Sequence, residues 1–230
     1  MKRYLITGAS RGIGRAIAEK LAAKDVLLFL HGRDTTALAE TRKMVEPHCA
    51  KVILLIHDLA NVSGVCDLIA DVGKAPLDLL VNNAGIAIVK PFCEITPIEW
   101  EQTVGVNITA PFMLTQHFAM RMPPGASIVN ILSVAAKTGF KGWSAYCMSK
   151  FALEGFSQSV REELREHKIR VINIYPAATA TDIWNNVEGD WSREKMMSPD
   201  EVAGAVHYAL SRPSDVALEN ITLSGVSGKL

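Results

Sequence analysis

Short apolar runs alternate along the chain with stretches in which apolar residues recur every three or four positions. The runs have strand length and are continuous, which is typical of strands buried on both faces of a parallel sheet. The stretches between them predict amphipathic helices. Strands are predicted at 3–7, 26–30, 51–57, 77–81, 126–132, 169–175 and 221–223. Helices are predicted through 16–22 and at 35–46, 62–72, 97–122 (broken near Pro111), 142–167 and 198–211.

Strands that alternate with helices imply right-handed crossovers and a doubly wound parallel sheet with helices on both faces. The sequence has no internal repeat, low-complexity tract or linker. Its 230 residues are therefore predicted to form a single Rossmann-type α/β domain of about seven strands. The polar, weakly periodic segment 181–197 interrupts the alternation and is interpreted as a short substrate lid.

Composition narrows the classes of function. Lys plus Arg and Asp plus Glu number 24 each, so the zero net charge gives no sign of a nucleic-acid or basic membrane surface. The four cysteines form no C-x-x-C pair and no cluster with histidine, which argues against zinc and disulfides. No apolar run could span a bilayer, and the N-terminus lacks a signal-peptide layout. A cytoplasmic protein without metal, membrane or nucleic-acid partners is predicted.

A glycine turn lies between the first strand and the first helix, where a doubly wound fold binds phosphate. Gly8, Gly12 and Gly14 would let backbone N–H groups approach a pyrophosphate at the positive end of the helix. Residues 8–12 also match G-x-S-x-G, the nucleophile elbow of α/β-hydrolases. That elbow normally follows several strands, and no downstream histidine lies in a clear strand-end loop. A nucleotide site is therefore favoured.

A phenol and an ammonium group four residues apart, Tyr146 and Lys150, form a candidate acid–base pair. On a helix these positions share one face, and a nearby cation would lower the pKa of the phenol. A tyrosine so placed can donate or accept a proton near neutral pH. In isolation the pattern is more often an ordinary surface pair, so its meaning depends on the other motifs.

In their order along the chain, these motifs resemble those of the short-chain dehydrogenase/reductase family. Residues 7–14 match T-G-x-x-x-G-x-G, residues 82–85 match N-N-A-G, and 146–150 match Y-x-x-x-K. Asn107 and Ser133 match the helix asparagine and the catalytic serine, and the resemblance spans nearly the whole chain. It implies an oxidoreductase that transfers a hydride between a nicotinamide and a carbonyl or secondary alcohol.

The resemblance implies a role for each of four catalytic residues. Tyr146 would protonate the carbonyl oxygen during reduction or, as tyrosinate, accept the proton of an alcohol. Ser133 would hydrogen-bond the substrate oxygen. Lys150 would lower the pKa of Tyr146 and bind the nicotinamide ribose, and Asn107 would hold a water that links Lys150 to solvent.

The end of the second strand favours NADP(H) over NAD(H). Gly32 stands where an acidic residue would select NAD, and Arg33 follows with a cation for a 2′-phosphate. Arg11 can add a second cation, because arginine pairs with phosphate bidentately. Asp34 is interpreted as the N-cap of the next helix, and the resemblance places Asp58 against adenine. The predicted cofactor-binding residues are Gly8, Ser10, Arg11, Gly12, Ile13, Gly14, Arg33, Asp58, Asn83, Ala84, Gly85, Tyr146, Lys150, Pro176 and Thr181.

The substrate side is less defined. Pro176-Ala177 stands where the family has Pro-Gly, and alanine lacks the freedom for positive φ. This leaves Thr181 as the expected partner of the carboxamide. The candidate pocket walls are aromatic, although packing of the lid tryptophans beneath the lid is an equal alternative. They are Phe140, Trp143, Trp184 and Trp191.

Two other functions stay open. One is an enzyme like the 3-oxoacyl-carrier-protein reductases, which usually have a longer lid. The other is a non-catalytic NADP(H)-binding sensor on the same fold. The resemblance also implies a homodimer or homotetramer, and Cys147, which points away from Tyr146 on the helix, is expected to serve packing.

Overall fold

In the computed structural model, which describes residues 1–187 and 192–226, seven strands and seven α-helices alternate. None of the helices in this part of the chain is long and apolar enough to cross a membrane. The strands are β1 (Lys2–Ile6), β2 (Val26–His31), β3 (Lys51–Leu55), β4 (Leu79–Asn82), β5 (Ser127–Ile131), β6 (Arg170–Pro176) and β7 (Asn220–Leu223). The helices are α1 (Gly12–Leu21), α2 (Thr35–Val45), α3 (Val62–Val72), α4 (Pro97–Val104), α5 (Ala110–Phe118), α6 (Ser144–Leu164) and α7 (Pro199–Leu210).

The strands form one parallel sheet in the order β3-β2-β1-β4-β5-β6-β7. The direction of strand addition reverses between β1 and β4. Open α/β sheets bind ligands beyond the carboxyl ends of their strands at such a switch point. The predicted Rossmann-type parallel sheet is confirmed, and its topology places the glycine turn at the switch point.

Apolar side chains on the two faces of the sheet form two separate cores. Leu28 and Leu30 of β2 pack into the core that α1 and α7 cover. Leu27 and Phe29, on the opposite face of the same strand, pack into the core beneath α3 and α5. Because both faces are buried, the strand reads as a continuous apolar run.

Two helices begin at the predicted capping residues. The carboxylate of Asp34 accepts a hydrogen bond from the Ala37 N–H at 3.0 Å, at the start of α2. The Ser198 hydroxyl accepts one from the Asp200 N–H at 3.2 Å, and Pro199 occupies the first turn of α7. The interpretation of Asp34 as an N-cap is therefore confirmed.

The predicted helical region 97–122 breaks earlier than expected. A π-helical segment, Gly105–Thr109, joins α4 to α5, whereas Pro111 lies in the first turn of α5. A Cβ on Gly105 would lie 2.4 Å from the carbonyl oxygen of Ala60, so glycine permits a close approach of backbone there. The widened turn carries Asn107, and π-segments occur often at functional sites.

Three buried asparagines, the asparagine row, lie in register on β4, β5 and β6: Asn82, Asn130 and Asn173. The amide nitrogen of Asn82 donates to Asn130 Oδ1 at 2.8 Å, and that of Asn130 donates to Asn173 Oδ1 at 3.2 Å. Asn130 also donates to the Ser157 hydroxyl of α6 at 2.8 Å. At the β4 end of the row, Asn82 Oδ1 has no hydrogen-bond partner among the described residues. The row joins three central strands to the helix that carries Tyr146.

Candidate active site

Close backbone contacts shape the glycine turn after β1. Gly8 and Gly12 have φ values of +66° and +55°, which favour glycine. A Cβ on Gly14 would lie 2.1 Å from the carbonyl oxygen of Gly8. In the described residues no side chain caps the N-terminus of α1. The first N–H groups of α1 are therefore left without a side-chain cap, and such a helix end suits a phosphate. The neighbouring Ile13 is partly buried against the core.

The N-N-A-G segment holds the glycine turn from the adjacent strand end. The Thr7 hydroxyl accepts hydrogen bonds from the N–H groups of Asn83 and Ala84, each at 3.0 Å. The side-chain amide of Asn83 donates to the carbonyl oxygens of Thr7 and Gly8, at 2.9 and 3.0 Å. The structure therefore brings the two predicted motifs together, and the Asn83 side chain supports the turn.

A buried histidine that the sequence reasoning missed also holds this turn. His31, at the end of β2, accepts a hydrogen bond from the Gly8 N–H through Nδ1 at 3.4 Å. Its Nε2 donates to the carbonyl oxygen of His57 at 3.0 Å. Burial lowers the pKa of His31 to about 4, so the ring is neutral at physiological pH and Nδ1 can accept. Arg15, likewise missed, donates to the Ser10 carbonyl oxygen at 2.6 Å.

At the end of β2, the Ser10 side chain fills the space beside Gly32, where an acidic side chain would begin. A Cβ on Gly32 would lie 1.9 Å from Ser10 Oγ, so the serine hydroxyl occupies that space. Arg33 pairs with Asp58 at 3.6 Å, and both side chains are exposed. Arg11 does not join them, because it pairs with Asp182 of the predicted lid at 3.5 Å. Such exposed pairs contribute roughly 0–1 kcal/mol, so either arginine can exchange its partner for a phosphate at little cost.

Three of the four predicted catalytic side chains meet where α6 crosses the end of β5. The Tyr146 hydroxyl is hydrogen-bonded to the Ser133 side chain, and Ser133 Oγ accepts from the Ala135 N–H at 3.1 Å. Lys150 Nζ donates to the Ile131 carbonyl oxygen at 2.9 Å and lies 5.6 Å from the centroid of the Tyr146 ring. Tyr146 and Lys150 are only 9% and 4% exposed, so the pair is not an ordinary surface pair.

Burial governs the protonation of the pair. It raises the pKa of Tyr146 to about 12, although the hydrogen bond from Ser133 lowers it in part. It lowers the pKa of Lys150 to about 8. The expected lowering of the Tyr146 pKa by Lys150 is wrong for this structure, because the ammonium group is held by a backbone carbonyl and both groups are desolvated.

Asn107 lies beside Lys150 and links the loop after β4 to α6. Its Oδ1 accepts from the Ile86 N–H, and its Nδ2 donates to the Ile86 carbonyl and to Ser149 Oγ, each at 2.9 Å. Ser149, which the sequence reasoning missed, donates to the Tyr146 carbonyl at 2.8 Å. A Cβ on Gly85 would lie 3.5 Å from Asn107 Oδ1 and 3.7 Å from Lys150 Nζ, so these three residues converge.

The last strand-end residues also meet the glycine turn. A Cβ on Gly12 would lie 2.9 Å from Thr181 Cγ2, which places Thr181 against the glycine turn. Pro176 ends β6 and is in register with Leu223 of β7. Ala177, at the family's glycine position, donates its N–H to the Leu223 carbonyl at 2.8 Å and so extends this pairing.

Two of the predicted pocket walls form a row of aromatic rings with Tyr146. The Trp143 ring meets the rings of Tyr146 and Trp184 edge to face, with centroids 5.5 and 5.6 Å away. The Trp184 indole N–H donates to the Thr179 carbonyl oxygen at 2.9 Å. Cys147 is buried with its thiol 3.8 Å from the Thr138 carbonyl oxygen, so its expected packing role is confirmed.

The two ends of the predicted lid, 181–197, lie next to each other. Ala180 donates its N–H to the Met197 carbonyl at 2.8 Å, and Met197 donates to the Ala178 carbonyl at 3.0 Å. Trp191, predicted as a pocket wall, lies outside the described residues. The described part of the lid therefore has fixed ends beside Thr181.

Comparison with known proteins agrees with this geometry. A model of the short chain dehydrogenase family matches residues 2–191. Sepiapterin reductase of Chlorobaculum tepidum is 32% identical, with 98% of this chain and 97% of that protein covered. The 3-oxoacyl-acyl-carrier-protein reductase of Aquifex aeolicus is 32% identical, with 91% and 90% covered. A short chain dehydrogenase from Burkholderia cenocepacia, crystallised in complex with NADP, superposes with a TM-score of 0.87 at 29% identity, with 99% and 97% covered. The chain belongs to the short chain dehydrogenase family and is an oxidoreductase of that family.

Proposed function

We propose that the protein is an NADP(H)-dependent reductase of carbonyl compounds in which Tyr146 is the proton donor. The observation that carries this proposal is the buried phenol hydrogen-bonded to Ser133, with Lys150 one helical turn away. With a pKa of about 12, Tyr146 is protonated at neutral pH and can act as an acid. The protonated phenol is the form that reduction of a carbonyl requires.

In this proposal two hydroxyl groups hold one substrate oxygen. The bound nicotinamide supplies the hydride. Ser133 donates a hydrogen bond to the carbonyl oxygen, and Tyr146 transfers its proton to that oxygen, so the carbonyl gains one hydride and one proton and becomes an alcohol. Lys150, charged below its pKa of about 8, would bind the nicotinamide ribose through its ammonium group. Asn107 would hold the water through which Lys150 reaches solvent.

The cofactor site is proposed to favour NADP(H). Arg33 offers a cation at the end of β2, where Gly32 places no carboxylate and Ser10 adds a hydroxyl group. The pyrophosphate would lie on the N-terminus of α1, and Thr181 would bind the carboxamide. The solved relative that holds NADP supports this choice.

The Gly32→Asp variant is expected to reverse the preference. Its carboxylate would repel a 2′-phosphate, and its Cβ would displace the Ser10 hydroxyl. We expect the NADPH/NADH ratio of kcat/KM to favour NADPH in the wild type and to fall by ~tenfold or more in the variant. Gly155→Asp, the same change on the exposed side of α6 where a Cβ meets nothing, is the control. A wild-type preference for NADH would contradict the proposal.

The pH dependence of cofactor use is expected to follow Lys150. Its ammonium form, which the proposal requires, is present below the folded-state pKa of about 8 and lost as the pH rises through it. The kcat/KM for NADPH, which reports the free enzyme, should be flat below this value and fall by ~tenfold per pH unit above it. Tyr146 stays protonated over this range. Steady-state kinetics in overlapping buffers would measure the profile, and a flat profile up to pH ~10 would rule out this role for Lys150.

The whole proposal is tested by a panel of aldehydes and ketones assayed for NADPH consumption. We expect carbonyl-dependent oxidation of NADPH and recovery of the matching alcohol. NADPH binding without turnover on any carbonyl would favour the sensor alternative instead. The homodimer or homotetramer remains a prediction, with which the exposed Phe112 of α5 and Phe151 of α6 are consistent.

A further inference from the structure

His31 is the one polar residue of an otherwise apolar strand. The preceding residues of β2, 26–30, are all apolar and buried, and His31 itself is only 3% exposed. An imidazole in such a position loses its hydration, and this costs free energy unless its polar atoms are hydrogen-bonded. The two ring nitrogens of His31 therefore need partners inside the protein.

These partners lie on the strands to either side of β2. The Gly8 N–H, just after β1, donates to Nδ1 of His31 at 3.4 Å, and Nε2 donates to the His57 carbonyl oxygen, just after β3, at 3.0 Å. Only the neutral ring with its proton on Nε2 can make both bonds. Burial keeps the ring in that form, because it lowers the pKa of His31 to about 4.

The backbone of His31 holds the next peptide group of the glycine turn. Its carbonyl oxygen accepts from the Ala9 N–H at 2.7 Å. The Asn83 amide, on β4's side of the turn, donates to the Thr7 and Gly8 carbonyl oxygens at 2.9 and 3.0 Å. In a planar trans peptide the C=O and N–H groups point in opposite directions. His31 and Asn83 therefore hold the same two peptide groups from opposite sides.

These contacts act on the part of the turn with the greatest conformational freedom. Gly8 has a φ of +66°, and a residue without a Cβ loses more backbone freedom on ordering than any other. The Gly8 carbonyl oxygen lies 2.1 Å from the position that a Cβ on Gly14 would occupy, so it packs against the first turn of α1. A rotation at Gly8 would therefore disturb the start of α1.

The start of α1 is also the part of the turn that can bind a phosphate. The N–H groups of Gly8 and Ala9 both donate to His31, so they are not offered to a ligand. The N-terminus of α1, in contrast, has no side-chain cap in the described part of the chain. The N–H groups of that helix end therefore remain for the phosphate.

We infer that His31 is a positioning residue for the adenosine 5′-phosphate of NADP(H), because its ring fixes the glycine turn that brings the N-terminus of α1 to that phosphate. The inference rests on the proposed function and adds a residue to its cofactor site. His31 acts through Gly8, since both of its ring nitrogens are bonded to backbone groups. A turn that is already ordered binds more tightly, because less freedom is lost when the ligand arrives.

Two fragments of the cofactor isolate the contribution of the 5′-phosphate: 2′,5′-ADP carries this group and 2′-AMP lacks it. The measured quantity is the ratio of the Kd of 2′-AMP to the Kd of 2′,5′-ADP, determined by calorimetric titration near neutral pH. A variant with less folded protein affects both ligands alike, so the ratio reports the 5′-phosphate alone. We expect a wild-type ratio of ~10 or more, since hydrogen bonds to a charged phosphate are strong.

Three substitutions at position 31 separate the contact with Gly8 from the contact with His57. His31→Asn keeps an acceptor where Nδ1 stood, and it should keep the ratio within ~threefold of the wild type. His31→Gln keeps a donor where Nε2 stood, and His31→Leu has no polar atom, so each should lower the ratio by ~fivefold or more. His207→Leu, at an exposed histidine of α7, is the control and should leave the ratio unchanged.

Steady-state kinetics distinguish positioning from general support of the fold. With NADPH and a reducible carbonyl, His31→Leu should raise the KM for NADPH by ~fivefold or more and leave kcat within ~twofold. Ser133 and Tyr146 lie at the end of β5 and on α6, so the chemical step should not change. A fall in kcat with an unchanged KM for NADPH would show that His31 serves only the fold, and the inference would be wrong.

The outcomes also separate this inference from the proposed function. A wild-type protein that binds neither NADPH nor 2′,5′-ADP would contradict the proposed cofactor site and the inference with it. If the wild type binds NADPH but does not distinguish the two fragments, or if His31→Leu keeps the wild-type ratio, only the inference about His31 fails. The same holds if His31→Asn loses the ratio as fully as His31→Leu.

Discussion

Replacement of Tyr146 by phenylalanine is expected to lower the kcat of NADPH-dependent carbonyl reduction by about 10²- to 10⁴-fold, the range that a positioned general acid contributes. The change removes one oxygen atom from a side chain that is buried against Trp143 and Ser133. The ring stays in place, so the cofactor site should keep its shape. The dissociation constant of NADPH, measured by fluorescence titration, should stay within ~threefold of the wild type.

The control for this experiment is the same substitution at an exposed position. Tyr208 lies on α7 and is 55% exposed, so Tyr208→Phe should change neither kcat nor NADPH binding. Turnover by Tyr146→Phe within tenfold of the wild type would show that another group supplies the proton. Loss of NADPH binding together with turnover would instead indicate that the phenol holds the cofactor.

Replacement of Gly14 by alanine is expected to abolish tight NADPH binding and to destabilise the fold. The new Cβ would lie 2.1 Å from the Gly8 carbonyl oxygen and 2.5 Å from Asn83 Nδ2, so the Gly8 backbone and the Asn83 side chain must both move. Overpacking of this kind costs about 1–3 kcal/mol or more. The displaced turn would also lose the close approach to phosphate, and we expect the Kd for NADPH to rise by ~100-fold or more.

Thermal unfolding and NADPH titration of Gly14→Ala measure the two effects separately. Gly155→Ala, on α6, is the matched control, because an added Cβ there meets no atom within 4 Å. In that helix the control should raise stability by up to ~1 kcal/mol, since alanine has the higher helix propensity. Unchanged NADPH affinity in Gly14→Ala would contradict the assignment of the glycine turn to phosphate.

Elements with strong local signals could be predicted from the sequence. The bounds of α3, Val62–Val72, agree with the prediction because the apolar period and Gly73 at its end are local features. Asp34 caps α2 for the same reason. The π-segment around Asn107 was not predicted, since it depends on the approach of the Ala60 carbonyl from a distant loop.

In the candidate site, too, features with a sequence signal could be predicted and features that depend on tertiary contacts could not. The order of the motifs was enough to bring the glycine turn, Ser133 and Tyr146 to one edge of the sheet. The role of His31 was missed because a histidine at the end of an apolar run carries no sign that it will contact Gly8. The pKa shifts of Tyr146 and Lys150 were also missed, because burial and the Ile131 carbonyl are tertiary properties.

The asparagine row has a consequence for how the sheet assembles. Parallel strands pair through contacts distant in sequence, and these form slowly and can form with a shifted alignment. A shift of one residue would turn an asparagine such as Asn130 to the other face and leave its amide unpaired in an apolar core, at about 1–3 kcal/mol per group. A shifted pairing of these strands is therefore expected to be less stable than the native one. Asn83, Ser133 and Pro176 follow Asn82, Asn130 and Asn173 by one, three and three positions. The register that pairs the asparagines therefore also brings these three predicted site residues to the same edge of the sheet.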